Sequence, residues 1–338
     1  MKEMKIVVRI PNWIGDAVLA LPALESLRHN FPRASLSIAA KNWVKDLFVH
    51  NSLGADVIPL PDNNDAKTIW TTAQALKARK FDIGFLLTNS FSSAFLFYLA
   101  RIPKRWGYAT DGRAVLLTKS VASKPDGSSR HQVQYYLGLL RRLGLETIEP
   151  RLKIPVPPGS AEAARDRLIA LGLGQNNKPL VIMSPGASYG PAKRWPAPFF
   201  GRLAALLEEK KGAEVLIVGS GEEAEIAATI RSSMARKPAI LTGTTTLSEL
   251  LGLISQATLF ISNDTGPMHI ANGLGVPVVA IFGPTDPAVT GPFQKPSAYI
   301  KKEVPCWPCF YRECPYDHRC MTGISPEDVL GACEGLWP

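Results

Sequence analysis

The chain has 338 residues, of which 46% are hydrophobic and 20% are charged. This length exceeds one ordinary core and predicts two domains of roughly 150 residues each, while the composition excludes a disordered or fibrous protein. The net charge of +9 favours an anionic partner, such as a phosphorylated lipid, an acidic sugar or a nucleic acid, without choosing among them.

The apolar segments of the first half do not predict a membrane-spanning protein. Arg9, Asn12 and Asp16 interrupt the N-terminal apolar stretch too early for a signal peptide, so a cytoplasmic protein is expected. The longest apolar run, residues 83–100, contains five Ser, Thr and Asn residues. A strand, a polar loop and a helix therefore fit it better than a spanning helix of about 20 apolar residues.

The first half alternates between short apolar runs and helical patterns. Residues 5–10 form an apolar run short enough for a buried parallel strand. After Asp16, valine and leucine recur at helical spacing up to Leu27, and Pro22 implies a kink or a late start. The further strands predicted in this half, separated by helical stretches, are residues 36–40, 57–60 and 83–88.

Three prolines and a glycine within residues 155–159 divide the chain. They cannot continue a helix or a central strand, so the linker is placed there, between domains over 1–157 and 158–338. Both halves are expected to be α/β, with Rossmann-like doubly wound sheets whose strand ends face across a ligand-binding cleft. In the second half the predicted strands are 180–184, 215–218, 240–241, 259–262 and 278–282, and the predicted helices are 198–211, 222–234, 247–256 and 268–274.

Residues 262–269, Ser-Asn-Asp-Thr-Gly-Pro-Met-His, run from a strand end into a helix with Pro267 at a favoured first-turn position. Free backbone N–H groups there can hold a phosphate. Alternatively, Asp264 or Thr265 simply caps the helix. Residues 283–287, Gly-Pro-Thr-Asp-Pro, end the next strand, so two adjacent strands deliver small and hydroxyl residues to one edge of the sheet. This favours a phosphate-binding edge.

Lys193 and Arg194 follow another small-residue loop, residues 184–188. Positive charge there would neutralise the diphosphate that departs when a sugar nucleotide is cleaved; the alternative is a solvated basic turn. No Asp-x-Asp motif occurs in the sequence, so the carboxylate pair that would hold a divalent metal on the diphosphate is missing. Side-chain cations are favoured instead.

Two acidic residues lie at predicted strand-to-helix turns. Glu222 follows a Gly-Ser-Gly turn, where its carboxylate could accept hydrogen bonds from ribose hydroxyls or could stabilise the helix N-terminus without a ligand. Asp16 ends the segment Asn-Trp-Ile-Gly-Asp and could take a proton from a sugar hydroxyl or cap the helix. Local chemistry leaves both alternatives open.

Four segments resemble the ADP-heptose:lipopolysaccharide heptosyltransferases, nearest to the second heptosyltransferases of the inner core, and the similarity covers nearly the whole chain. They are PNWIGD at 11–16, SYGPAKRWP at 188–196, NDTGPMH at 263–269 and FGPTDP at 282–287. The resemblance implies a GT-B glycosyltransferase with metal-independent inverting transfer and no cofactor. It implies ADP-heptose in the C-terminal domain, the acceptor in the N-terminal domain, and a last helix over 327–337 that often crosses back to the first domain.

By resemblance, Asp16 matches the general base that deprotonates the acceptor hydroxyl, Lys193 the residue that holds the donor phosphate, and Glu222 the ribose-side acid. Asp264 lies in the donor loop, where a diphosphate would repel it unless it is paired, so it is expected to bond a backbone N–H, Lys193 or a heptose hydroxyl. The other donor-binding residues implied are Ser188, Arg194, Thr265, Gly266 and His269, with Thr245 and Leu247 near the adenine.

The acceptor so implied is a lipopolysaccharide precursor of the heptosyl-Kdo2-lipid A type, reached by a peripheral protein at the inner face of the inner membrane. Phe91, Phe95, Phe97 and Tyr98 could touch that membrane, but a helix packed on the sheet is the favoured explanation. The cations proposed for the acceptor, although surface cations are usually only solvated, are Lys41, Arg105, Arg113 and Arg130.

The five cysteines all lie in the last tenth of the chain. Cys306, Cys309, Cys314 and Cys320, with His318 among them, would allow a tetrahedral zinc site, although their spacing is unlike common zinc knuckles. Reduced structural thiols are favoured, with zinc or an adventitious disulfide as alternatives.

Two other functions compete with this interpretation. The first is another sugar-nucleotide enzyme of the same architecture, either a heptosyltransferase of type I or III or an epimerase that needs no acceptor. The second is a basic nucleic-acid-binding module built on the cysteine tail. Such modules cluster Lys and Arg with exposed aromatics around a zinc fold, whereas this tail has few basic residues, so no nucleic-acid partner is expected.

Overall fold

A computed structural model describes residues 3–63, 65–123, 130–174 and 178–337. The chain forms two compact units, Met1–Pro155 and Val156–Pro338, so the boundary lies within the proline-rich segment. No helix of the described residues is both long and apolar enough to cross a membrane.

The first unit is a six-stranded parallel sheet with flanking helices, in the strand order β3-β2-β1-β4-β5-β6. Its elements in chain order are β1 (Lys5–Arg9), α1 (Ile14–Leu19), α2 (Leu21–Asn30), β2 (Ser35–Lys41), α3 (Asn42–Lys45), β3 (Asp56–Leu60), α4 (Ala66–Ala78), β4 (Ile83–Leu86), α5 (Phe91–Leu99), β5 (Lys104–Tyr108), β6 (Lys119–Val121) and α6 (Gln132–Arg142).

Strand β1 is central in this sheet because it carries the continuous apolar run of the N-terminus. Val7 is fully buried and lies in register with Ser37 of β2 and Gly84 of β4. Gly84 admits close packing of α5, since an added Cβ would lie 2.6 Å from the Phe97 ring. Both faces of a parallel sheet are covered, which explains the unbroken apolar pattern.

The helix expected after β1 is divided into two. Helix α1 ends at Ala20, and Pro22 lies in the first turn of α2, where its missing N–H costs no intrahelical hydrogen bond. Strands β5 and β6 are not predicted from the sequence, because both begin with a lysine and are partly exposed, β6 at the edge of the sheet and β5 next to it.

The second unit repeats the arrangement with the strand order β12-β11-β10-β7-β8-β9, again all parallel. Its elements are α7 (Ser160–Ala170), β7 (Leu180–Ser184), α8 (Ala197–Lys211), β8 (Glu214–Ile217), α9 (Ala224–Ser233), β9 (Ala239–Ile240), α10 (Leu247–Ile254), β10 (Leu259–Asn263), α11 (Gly266–Gly273), β11 (Val278–Phe282), α12 (Pro287–Thr290), β12 (Ser297–Lys301), α13 (Arg319–Thr322) and α14 (Pro326–Glu334).

The last helix, α14, packs on the second unit. It contacts α8, β11 and β12, and its side chains Val329, Leu330 and Cys333 are buried in that unit's core. These apolar contacts account for its buried face.

Candidate functional site

Asp16 lies in the first turn of α1, directly after the carboxyl end of β1. The N-cap position of this helix is Trp13, which makes no side-chain cap hydrogen bond. Asp16 is therefore not the N-cap residue, although an acidic residue in the first turn also stabilises the helix N-terminus. Its side chain is half-buried, so its carboxylate is only partly covered by protein.

Tyr136 of α6 holds the Asp16 carboxylate. The Tyr136 hydroxyl is hydrogen-bonded to Asp16 and also accepts a bond of 3.1 Å from Nε2 of Gln132. Because an amide nitrogen only donates, the hydroxyl proton is left for Asp16. Burial, with the nearby Asp16 charge as a smaller cause, raises the pKa of Tyr136 well above its ordinary value, so Tyr136 remains a donor. Sequence patterns gave no signal for this tyrosine.

In the second unit, the Lys193 ammonium and the Asp264 carboxylate form a buried ion pair. Nζ of Lys193 lies 2.5 Å from Oδ2 of Asp264, and their side chains are 11% and 5% exposed. Thr285 donates to the same oxygen at 2.7 Å, and the Thr290 hydroxyl lies 3.4 Å from Oδ1. Lys193 is thus one of the partners expected for Asp264, and it compensates the buried carboxylate charge.

Helix capping does not explain Asp264 or Thr265. The helix α11 begins at Gly266, and Thr265 occupies the N-cap position without a side-chain cap hydrogen bond. Asp264 instead accepts hydrogen bonds from side chains of other loops. In the first turn of α11, Pro267 has no N–H and the Met268 N–H donates to the Thr265 carbonyl at 3.2 Å, so Gly266 provides the backbone N–H that a ligand oxygen can use.

Asn263, which the sequence analysis did not single out, joins the three loops of this edge. Its Nδ2 donates to the carbonyls of Pro185 and Gly186 at 2.6 and 3.2 Å, and its Oδ1 accepts from the Trp195 backbone N–H at 3.1 Å. The loop after β7, the Lys193–Trp195 segment and the end of β10 are thereby held together. Its position in the 263–269 motif was the available signal.

Glu222 and Glu223 differ in their surroundings. Glu222 is exposed, whereas Glu223 is buried and its Oε2 accepts from the Ser220 backbone N–H at 2.7 Å. A Cβ added to Gly186 would lie 1.6 Å from Oε1 of Glu223, so this carboxylate occupies the space beside the loop after β7. The adjacent acid, Glu223, is therefore the one integrated into the loop network.

The other residues predicted to bind the donor follow strands of the same sheet, and they range from exposed to buried. Arg194 is half-buried, and its buried Nε has no hydrogen-bond partner within the part of the chain that is described. Ser188 is exposed, Thr265 and Gly266 are half-buried, and His269 is buried in α11. Thr245 and Leu247 are half-buried and flank Thr246, the N-cap residue of α10.

The four cations proposed for the acceptor have different environments. Arg113 is fully buried, donates to the Tyr108 carbonyl at 2.9 Å, and has its pKa lowered to about 10 by burial. Arg105 is half-buried and donates to backbone carbonyls at 2.5 and 2.6 Å, so both arginines brace the first unit. Arg130 is exposed, and Lys41 is buried at the end of β2.

The aromatic residues of α5 divide between the core and the surface. Phe97 is fully buried, as the packed-helix explanation expects, whereas Phe91 and Tyr98 are 43% and 49% exposed. Phe91 and Phe95 stack with ring centroids 6.1 Å apart.

The cysteines are free thiols. Burial, followed by the neighbouring thiols Cys314, Cys309 and Cys306, raises the pKa of Cys320 to about 11. Within the described ranges, no group of three or more His, Cys, Asp or Glu side chains is placed to hold a metal ion, so the zinc alternative gains no support.

The cysteine-rich segment supports the loop that carries Lys193. Nε2 of His318 lies 2.7 Å from the Ala192 carbonyl, and the Ala192 N–H donates to the Arg312 carbonyl at 3.0 Å. The Tyr189 hydroxyl donates to the Phe310 carbonyl at 2.7 Å. The segment therefore supports the loop that leads to Lys193, a structural role that its sequence pattern did not indicate.

A family model, a protein relative and two solved structures all relate this chain to the heptosyltransferases. The model of glycosyltransferase family 9 (heptosyltransferase) matches residues 69–319. Lipooligosaccharide heptosyltransferase 2 of Haemophilus ducreyi is 32% identical over 311 residues, 88% of each chain. Two solved E. coli structures each match 98% of this chain. The structure of ADP-heptose lipopolysaccharide heptosyltransferase II is covered to 98%, with a TM-score of 0.85 and 25% identity. The structure of heptosyltransferase WaaC with ADP-2-deoxy-2-fluoro heptose is covered to 99%, with a TM-score of 0.73 and 17% identity. The expected GT-B fold of two α/β units is confirmed.

Proposed function

Because the chain belongs to glycosyltransferase family 9, the heptosyltransferases, we propose that this glycosyltransferase moves a heptose from ADP-heptose to the inner core of lipopolysaccharide. The acceptor is of the heptosyl-Kdo2-lipid A type. The names of its relatives support this choice, since they include heptosyltransferase 2 enzymes of Haemophilus ducreyi and E. coli.

The observation that carries the proposal is the Lys193–Asp264 pair at the amide-lined edge of the second sheet. An ammonium has three donors, and Asp264 engages one of them. The remaining donors can bind the diphosphate as the bond to heptose breaks, where positive charge stabilises the departing oxyanion. Lys193 thereby supplies the charge that a divalent metal supplies in Asp-x-Asp enzymes.

Asp16 is the proposed general base. The Tyr136 hydroxyl orients one side of the carboxylate, and the partial exposure of Asp16 leaves room for a sugar hydroxyl. Removal of the hydroxyl proton as the oxygen attacks the anomeric carbon gives transfer with inversion in a single displacement. Ser188, Arg194, Glu222, Thr245, Leu247, Thr265, Gly266 and His269 complete the proposed donor site.

The location follows from the acceptor. A lipid-linked acceptor requires the enzyme to work at the cytoplasmic face of the inner membrane, as a peripheral protein without nucleic-acid partners. The exposed rings of Phe91 and Tyr98 and the net charge of +9 support binding to an anionic lipid surface.

The test is incubation of the purified protein with ADP-heptose and defined precursors that carry no heptose, one heptose or two heptoses, with and without chelator. Mass spectrometry should show the gain of one heptose on the precursor that already carries one, and the gain should survive chelation. The new linkage should have the anomeric configuration opposite to that of the donor.

Other outcomes identify the competing functions. Transfer to the heptose-free precursor indicates a type I enzyme, and interconversion of free nucleotide sugars without an acceptor indicates an epimerase. Loss of transfer on chelation would contradict the role given to Lys193.

A further inference from the structure

Two cations are buried together at the carboxyl ends of the central strands of the first unit. Arg9 is the last residue of β1 and Lys41 is the last residue of β2, and each is only 4% exposed. Neighbouring parallel strands place these ends at the same edge of the sheet, which is also the edge where the turn to Asp16 begins.

Among the described residues, the hydrogen-bond partners of the Arg9 guanidinium are neutral groups. It donates to the carbonyls of Ile10 and Ala39 and, at 2.5 Å, to Oδ1 of Asn12. Within the described part of the chain, no carboxylate accepts a hydrogen bond from it. Burial lowers the pKa of Arg9 to about 10, which reflects the cost of keeping this charge out of water.

Lys41 adds a second positive charge beside it. Its ammonium donates to the carbonyls of Pro61 and Asp62. Burial and repulsion from Arg9 lower the pKa of Lys41. The Asp62 carboxylate raises this pKa by a smaller amount, since its side chain is exposed to solvent. Two adjacent buried cations are costly unless an anion joins them.

A small pocket opens at these two side chains. Its volume is about 50 Å³, far below the several hundred Å³ that a whole sugar or nucleotide needs, so it fits one compact group. Besides Arg9 and Lys41, its polar lining consists of Asn12, Asn63, Thr68, Thr72, Ser90, Ser92 and Ser93. The hydroxyls of Thr68 and Ser93 already donate to Asp65 and to the Ser90 carbonyl, whereas the side-chain amides of Asn12 and Asn63 can donate to the oxygen of a bound group.

The pocket is connected to the proposed base through Asn12. The side-chain Oδ1 of Asn12 accepts a hydrogen bond from Arg9, and the backbone carbonyl of Asn12 accepts one from Nε1 of Trp43 at 2.7 Å. Asn12 lies in the turn that leads into the first turn of α1, which carries Asp16. Asn12 thus belongs both to the pocket lining and to the turn that leads to Asp16, at the same edge of the sheet.

We propose that the Arg9–Lys41 pocket binds one anionic group of the acceptor, a sugar carboxylate or a phosphate, and so selects acidic acceptors and positions them at Asp16. This inference rests on the proposed function for the identity of the acceptor. The binding of the anion itself does not depend on it.

The test compares the wild-type protein with Lys41→Met, which removes the charge while keeping a long apolar stem. Lys45→Met is the matched control, because Lys45 lies in the next element, pairs with Asp46 and is outside the pocket. Lys41→Arg retains the charge. Thermal unfolding of each variant verifies that it folds.

The first measurement is calorimetric binding of a free sugar acid and of inorganic phosphate, which needs no turnover. Lys41→Met should weaken the binding of the preferred anion roughly ten- to hundredfold. Lys45→Met and Lys41→Arg should bind it about as well as the wild type. Preference for one probe identifies the group as carboxylate or phosphate.

The second measurement is transfer to acceptors whose carboxylates are reduced to alcohols or whose phosphates are removed. The wild type should lose affinity for the acceptor that lacks the recognised group. Lys41→Met should bind that acceptor and the intact one equally weakly, while its KM for ADP-heptose stays close to that of the wild type. Equal anion binding by Lys41→Met and Lys45→Met would overturn the proposal. Anion binding without any heptose transfer would retain the pocket and contradict the proposed function instead.

Discussion

The Lys193 ammonium lies 2.5 Å from the Asp264 carboxylate and joins the loop after β7 to the end of β10, 71 residues away along the chain. Both side chains are buried, so each charge depends on the other for compensation. The same ammonium is the proposed ligand of the donor diphosphate. Stability and donor binding should consequently change together when this pair is broken.

Lys193→Met should lower the free energy of unfolding by about 3 kcal/mol, because it leaves the Asp264 carboxylate buried without its cation. The double variant Lys193→Met/Asp264→Asn should lose less than the sum of the single changes, as measured by a denaturant double-mutant cycle. Both Lys193 variants should bind ADP at least tenfold more weakly. Lys210→Met, an exposed lysine of α8, is the control for simple loss of charge. Additive losses would show that the pair is uncoupled.

Asp16→Asn should lower kcat by roughly a hundredfold to ten-thousandfold, because an amide cannot take the proton of the acceptor hydroxyl. ADP affinity, measured by calorimetry, should remain unchanged, since the proposed donor residues belong to the other unit. Asp46→Asn at the end of α3 is the matched control. A variant that loses ADP binding or unfolds would reduce Asp16 to a structural residue.

Tyr136→Phe should lower kcat about tenfold and move the acidic limb of the pH profile of kcat/KM to higher pH. The limb moves to higher pH because the hydrogen bond that Tyr136 donates favours the ionised form of Asp16. Its removal makes Asp16 easier to protonate. Tyr108→Phe is the matched control: it also removes a buried hydroxyl, which donates to the Tyr135 carbonyl at 2.8 Å. Each variant should lose about 1 kcal/mol of stability. An unshifted profile for Tyr136→Phe would assign Tyr136 to packing alone.

Cys333 should make the protein less stable in alkali. Burial raises the pKa of this thiol from 9.0 to about 12, so above pH 9 the unfolded chain releases a proton that the folded chain keeps. Stability is therefore lost as the pH rises, by roughly 1.5 kcal/mol from this thiol between pH 9 and pH 10.5. Denaturant melts of Cys333→Ala should show a shallower fall than the wild type. Replacing the exposed Cys306 with alanine should leave the wild-type slope; equal slopes for all three would contradict the assignment.

Much of the fold was predictable because buried parallel strands and helices have strong local patterns. The strand at the N-terminus, those from 180–184 to 278–282, and the helices between them lie where the patterns indicated. Strands β5, β6 and β12 were missed because they carry polar residues and lie at or next to the edges of their sheets, where they are only partly buried. The division of the first helix at Ala20 likewise exceeded the kink expected from Pro22.

The family resemblance rested on four short segments, and the later matches confirm it. Local motifs also identified Asp16, Lys193 and Asp264 as chemically important, since each follows a predicted strand at the edge where α/β sheets bind ligands. For the acceptor, the sequence offered Lys41 only as one of several surface cations, and it offered no reason to consider Arg9. A cation inside an apolar strand is indistinguishable from a solvated one until burial is known.

Local sequence alone determined the alternation of strands and helices, the two-part organisation and the family, because periodicity and short motifs are properties of neighbouring residues. Tertiary structure decided which side chains meet, such as Tyr136 with Asp16 and Thr285 with Asp264, and it placed Lys41 and Arg9 in the lining of one pocket. These contacts join residues far apart in the chain, and their strength depends on exclusion of water. Neither the pairing nor the exclusion is written in any single stretch of sequence.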